Sequence, residues 1–137
     1  EKRRLLPEGA EYRRKKSMMT APELKLYRSL RSMLRPERYA VLPQAALVTL
    51  VDKVSGGGYR SELFRVADFC IADAVTFEPL LVIELNDASH LREERKLRDD
   101  KVAAICDDAG LPLLTLTLAE ADDERCVRDQ LKRRLRA

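Results

Sequence analysis

The sequence predicts a single α/β domain in which a mixed central sheet is flanked by helices. Three observations carry this expectation. Residues 66–72 and 79–86 are apolar runs separated by only six residues, so they should form an antiparallel hairpin. A charged helical stretch ending near Gly110 and Pro112 lies between the second run and a further apolar run at 113–118. A helix between two such strands implies a right-handed parallel crossover, which makes the sheet mixed. The length of 137 residues suits one domain and lets the chain bury roughly two-thirds of its unfolded surface.

In chain order, residues 1–19 read as a leader, with EKRR and RRKK flanking a Pro-Glu-Gly turn. They are either a solvated linker from a longer parent chain or a basic arm that touches phosphates. The globular domain is expected over 20–137. A helix should start at Thr20, because Thr20 and Glu23 have capping-box spacing and Pro22 sits in the first turn. Leu24, Tyr27, Leu30 and Leu34 form its apolar stripe, and Pro36 ends it. A strand is expected near 39–44, at an edge or bulged because of Pro43. Its continuation to Val51 is strand or short helix, and Ser55-Gly56-Gly57-Gly58 is a turn.

After the hairpin, the pattern turns helical from Ser89, with Val102, Ile105 and Ala109 as apolar positions and Gly110 as the C′ residue. Residues 121–136 should form one last helix. Its start is acidic and its end basic, matching the helix dipole, with Val127, Leu131 and Leu135 facing the core. The element order is therefore α, β, β, β, α, β, α.

Composition narrows the class. Hydrophobic residues make up 45% and charged residues 36%, which excludes collagen, coiled coil and low-complexity disorder. The net charge of +3 permits a nucleic-acid partner without demanding one. Cys70, Cys106 and Cys126 are odd in number and form no CxxC pair, which argues against a disulfide framework or zinc knuckle. Two lie in apolar stretches and read as small core residues of a cytoplasmic, reducing environment. No apolar run approaches the ~20 residues of a membrane span, and the leader has no secretory h-region.

The hairpin carries the chemistry. Thr76 is the centre of the connection, with Asp68 eight residues before it and Glu84 eight after. In a symmetric hairpin the two face each other, with Cβ atoms ~4.5–5.5 Å apart. Two facing carboxylates in apolar strands repel each other and are poorly solvated, so one tends to hold a proton. A Mg²⁺ ion bound by oxygen donors relieves both problems and can activate water toward a phosphodiester. Two plainer readings stand beside it. A one-residue slip would send Glu84 to solvent, and Arg65 or Lys101 would neutralise the pair as a salt bridge.

His90, the only histidine, follows where strand feeds helix. It is either a surface or capping residue or a general acid–base group. Arg92, Arg95, Lys96, Arg98 and Lys101 alternate with acids, as on a solvated helix face. Alternatively, Arg98 and Lys101 point back at the carboxylates and steady a negative phosphate.

VADF at 66–69 and VIELND at 82–87 resemble motifs of the PD-(D/E)XK nuclease superfamily. The string LLVIELNDASHLREERKLRDDK, with LPQAAL at 42–47 and AGLPLLTL at 109–116, resembles the domain-of-unknown-function 2726 family. That family is similar in pattern to very-short-patch-repair endonucleases. The resemblance implies a restriction-endonuclease-like core, αβββαβ, and a nuclease that hydrolyses phosphodiester bonds in DNA with Mg²⁺ or Mn²⁺. It implies that Asp68 and Glu84 are metal ligands, with Glu23 as a further acidic group and the Leu85 carbonyl as a third donor. Glu23 reads equally well as the capping partner of Thr20. His90 matches the histidine after the E-x-x-D segment, and Gln44 matches a polar position on the first strand. Arg92, Arg95, Arg98, Arg13 and Arg14 would hold the nucleic-acid backbone. One departure stands out. Where the superfamily pattern has Lys, two residues after the Glu, this chain has Asn86. Either Lys101 takes that role from the helix, or the domain is a non-catalytic module that binds nucleic acid or protein within a larger chain.

Overall fold

A computed structural model describes residues 5–57, 61–86 and 93–135, with residues 93–99 described as backbone alone. Helix α1 (Ala21–Met33) begins at a true capping box: Thr20 Oγ1 accepts from the Glu23 N–H, and Glu23 Oε1 accepts from the Thr20 N–H at 2.7 Å. Its buried residues are Leu26 and Leu30, and it ends before Pro36. Strand β1 (Tyr39–Ala46) runs two residues past the expected end. Short 3₁₀ turns then follow at Leu47–Thr49 and Ser61–Phe64.

Strands β2 (Val66–Asp73) and β3 (Pro79–Asn86) form the expected hairpin. Its connection is organised by Asp73, whose Oδ1 accepts from the N–H groups of Val75 and Thr76 at 2.8 and 2.9 Å. These donors hold the Asp73 carboxyl below its ordinary pKa, Thr76 most strongly. The pairs Phe69↔Ile83, Cys70↔Val82 and Ile71↔Leu81 are all symmetric about residue 76, as read from the sequence, before an irregularity at Ile71/Ala72.

Helix α2 (Glu93–Asp108) returns the chain to β4 (Leu113–Thr117), which pairs with β3 in parallel. Gly110 takes φ 71°. Its N–H donates to the Asp107 carbonyl and the Leu111 N–H to the Cys106 carbonyl, the paired bonds of a Schellman cap.

The single expected C-terminal helix is instead two, α3 (Leu118–Asp122) and α4 (Glu124–Arg134). Two capping signals explain the correction. Thr117 and Glu120 form a capping box directly at the end of β4. Asp123 then breaks the run, because its Oδ1 accepts from the N–H groups of Arg125 and Cys126 and starts a new helix.

The sheet order is β1-β2-β3-β4, with antiparallel, antiparallel and parallel neighbours. The fold is thus mixed α/β with helices on both faces. One core joins Leu26 and Leu30 of α1 to Phe69, Ile71, Ile83 and Leu116 of the sheet and to Val127 and Leu131 of α4. On the other side, Val102 and Cys106 of α2 pack with Val82, Leu47, Leu63 and Leu111. All three cysteines are free thiols, and Cys70 and Cys106 are fully buried. Among the described residues no helix is long and apolar enough to cross a membrane.

Candidate functional site

Three elements converge on Asp68. It stands on β2, half-buried, one residue beyond the last pair of the β2–β3 register before the site, Phe69↔Ile83. Continuing that register by one step sets Asp68 level with Glu84. Here the Leu85 N–H donates to Asp68 Oδ2 at 2.7 Å. The bond fixes the carboxyl at the edge of the hairpin ladder and leaves its other oxygen for a further partner.

Burial pushes the Asp68 carboxyl above its ordinary pKa, and the Leu85 N–H opposes this. A hydrogen bond with the Glu23 carboxyl raises it further, while one with Glu84 lowers it. Asp68 is therefore the hub of an acidic constellation drawn from α1, β2 and β3. The capping box explains how Glu23 reaches it. With one oxygen tied to the Thr20 N–H, Glu23 is held at the N-terminal turn of α1, and Leu26 and Leu30 anchor that helix on the sheet. Glu23 therefore both caps the helix and meets Asp68.

The donors suit a hard divalent cation, being carboxylate oxygens in a partly desolvated setting. Among the described residues, however, no three His, Cys, Asp or Glu side chains form a group arranged to hold a metal ion.

The remaining candidates are dispersed. Asn86 ends β3 and is exposed. Lys101 is exposed on α2, one residue before buried Val102, and makes no ion pair among the described residues. Arg65 is turned elsewhere, with Nη1 donating to the Glu62 carbonyl at 3.5 Å. Arg13 and Arg14 are exposed on the leader. His90 and Arg92 lie outside the described residues, as do the side chains of Arg95 and Arg98.

Two participants were weakly signalled or silent in the sequence. Gln44 lies between the pairs Pro43↔Phe69 and Ala45↔Ala67, which sets it level with Asp68 from the other side, and it takes φ 53°. A non-glycine residue in that region costs about 1–3 kcal/mol. The register is unbroken across it, so Pro43 marks an edge strand and not an inserted residue. The Leu85 amide is the second. A backbone donor leaves no trace in residue type, and the sequence pointed only to the Leu85 carbonyl. Cys106 also borders the site. Its thiol is raised by burial and then by the charge of Glu84, which places this part of α2 beside β3.

A family model described as "Protein of unknown function (DUF2726)" matches residues 15–135. No curated protein and no solved structure matches the chain.

Proposed function

Because the chain belongs to the DUF2726 family, whose description names no activity, we propose from the site itself that it is a metal-dependent nuclease that hydrolyses phosphodiester bonds in DNA, built on a restriction-endonuclease-like core. The observation that carries this reading is the acidic constellation at Asp68. A carboxyl raised by burial, beside two further carboxyls, is an arrangement that a bound cation stabilises.

Asp68 and Glu84 would hold Mg²⁺ or Mn²⁺, with Glu23 at the margin. When bound, the cation supplies Lewis-acid activation of the phosphodiester and of water. The chain's own groups do the rest. The Leu85 N–H orients the Asp68 carboxyl. The capping box holds Glu23 in place, and the strained Gln44 presents a polar side chain at the level of Asp68. His90 would assist proton transfer, and Lys101 or Arg98 would steady negative charge in place of the Lys that Asn86 replaces. The exposed position of Lys101 and the lack of a closed three-ligand group among the described residues favour the second reading, a non-catalytic binding module of the same fold.

The deciding experiment is cleavage of supercoiled plasmid and of a single-stranded oligonucleotide with Mg²⁺ or Mn²⁺. The expected result is metal-dependent cleavage that Glu84→Ala reduces at least about a hundredfold, with a melting temperature raised by Mg²⁺ in the wild type but not in the variant. A folded wild type that cleaves neither substrate would leave the binding module standing.

A further inference from the structure

The net charge of +3 conceals a strong separation of charge along the chain. Residues 25–38 hold five cations against Glu37 alone, and residues 124–134 hold five against Glu124 and Asp129. Residues 39–117 hold thirteen acids against eight cations, while Glu120, Asp122 and Asp123 of the α3 segment share the α1/α4 side. Folding brings the two basic segments to the same side. Leu26 and Leu30 of α1 share one core with Val127 and Leu131 of α4, whereas α2 packs in the other. Since the apolar residues of α1 and α4 face the sheet, their cations face water. Arg28, Arg31, Arg35, Arg125, Arg128 and Lys132 are all exposed, and among the described residues none forms an ion pair. Lys25 is committed to Asp122 at 3.1 Å.

We propose that the α1/α4 face is a nucleic-acid docking surface on which these six side chains hold the phosphodiester backbone. The inference deepens the nuclease reading and rests on it for the identity of the polyanion. Its residues are different from the leader and α2 arginines that the sequence suggested.

Four observations favour this occupant. Five of the six cations are arginine, whose planar fork matches phosphate oxygens in a bidentate fashion. One is preorganised: Arg31 Nη1 donates to Tyr27 Oη at 2.8 Å with its guanidinium 5.8 Å from the ring centroid. Tyr27 in turn stacks on buried Phe69, with centroids 6.5 Å apart. A guanidinium held this way loses less freedom on binding. The stripe also lies on the helix that carries Glu23. Arg28 and Arg31 follow Glu23 on the same helix by about 8 and 12 Å along the axis. Finally, the exposed large apolar side chains of the described residues all lie outside α1, α3 and α4, so the face lacks the apolar component with which a helix enters a bilayer.

The test is fluorescence anisotropy of a labelled DNA duplex titrated with the 137-residue chain in chelator across a range of salt. Chelator separates docking from cleavage. The variant Arg28→Gln/Arg31→Gln/Arg128→Gln is compared with a variant of equal charge loss on the leader, Arg13→Gln/Arg14→Gln/Lys15→Gln. Docking on the α1/α4 face predicts that the first loses about tenfold or more in affinity at low salt and about three units of salt slope, and the second clearly less. Where loss of Arg31 disturbs Tyr27 and lowers the melting temperature, Arg28→Gln/Arg35→Gln/Arg128→Gln replaces the first variant and must show the same loss. Equal losses in the two variants, an unchanged affinity in the first, or a wild type that binds phosphatidylserine vesicles but not DNA would each overturn the proposal. Docking without cleavage leaves the surface standing and removes the nuclease reading. Cleavage that the first variant does not affect does the reverse.

Discussion

Asp68 shows how one side chain ties stability to the site. Its pKa is raised in the fold, so the folded state holds this proton more tightly than the unfolded chain does. The resulting stabilisation is complete below the unfolded carboxylate pKa of about 3.9 and is lost as pH rises through the raised folded value. At neutral pH the ionised carboxyl is therefore a liability. Asp68→Asn keeps an oxygen to accept the Leu85 N–H and adds donors toward Glu23 and Glu84. The expected result is a melting temperature a few degrees above wild type at pH 7, with the gap closing as pH falls toward 3.9. A gap that stays constant with pH would show that Asp68 is not the titrating group. The facing of Asp68 and Glu84 was readable from simple counting about Thr76, because side-chain direction and register follow from the hairpin. The arrival of Glu23 was implied by the family resemblance alone and not by spacing, since forty-five positions separate it from Asp68 and the packing of α1 joins them.

Among the elements, the caps decide the boundaries. Gly110 allows α2 to stop and turn into β4 across four residues, and a Cβ placed there meets no atom within 4 Å. The cost of Gly110→Ala is therefore conformational, and it should be about 1 kcal/mol. A urea titration should show a lower midpoint with an unchanged slope. The same logic explains the α3/α4 division. The apolar spacing of Val127, Leu131 and Leu135 was legible, but the stop at Asp123 depends on a local hydrogen-bond choice that periodicity does not report. Gln44 is the parallel case in a strand: Pro43 signalled an edge, whereas the positive φ that follows it came only from the structure.

The whole molecule is a four-stranded sheet with separate cores on its two faces. Among the described residues Phe69 is the largest fully buried side chain, and it joins β2 to Tyr27 of α1. Phe69→Ala should cost about 3–5 kcal/mol, a large part of the ~5–15 kcal/mol that holds such a domain together. Because Phe69 adjoins Asp68 and supports Tyr27 beneath Arg31, the same change should also weaken DNA binding by the protein that remains folded. Equilibrium unfolding and anisotropy would measure the two effects. The exposed Lys25–Asp122 pair contributes little by comparison, ~0–1 kcal/mol.

The sequence alone determined the element order up to β4, the hairpin and its register, the caps at Thr20 and Gly110, and the facing pair Asp68 and Glu84. Each follows from interactions between near neighbours in the chain: capping bonds, turn geometry and the two-residue alternation of a strand. Only the tertiary structure decided that Glu23 joins that pair, that the Leu85 amide orients it, and that the basic residues of α1 and α4 share one face. Those outcomes depend on how α1 and α4 bury their leucines and valine against the sheet, and packing across tens of residues leaves no periodic mark in the chain.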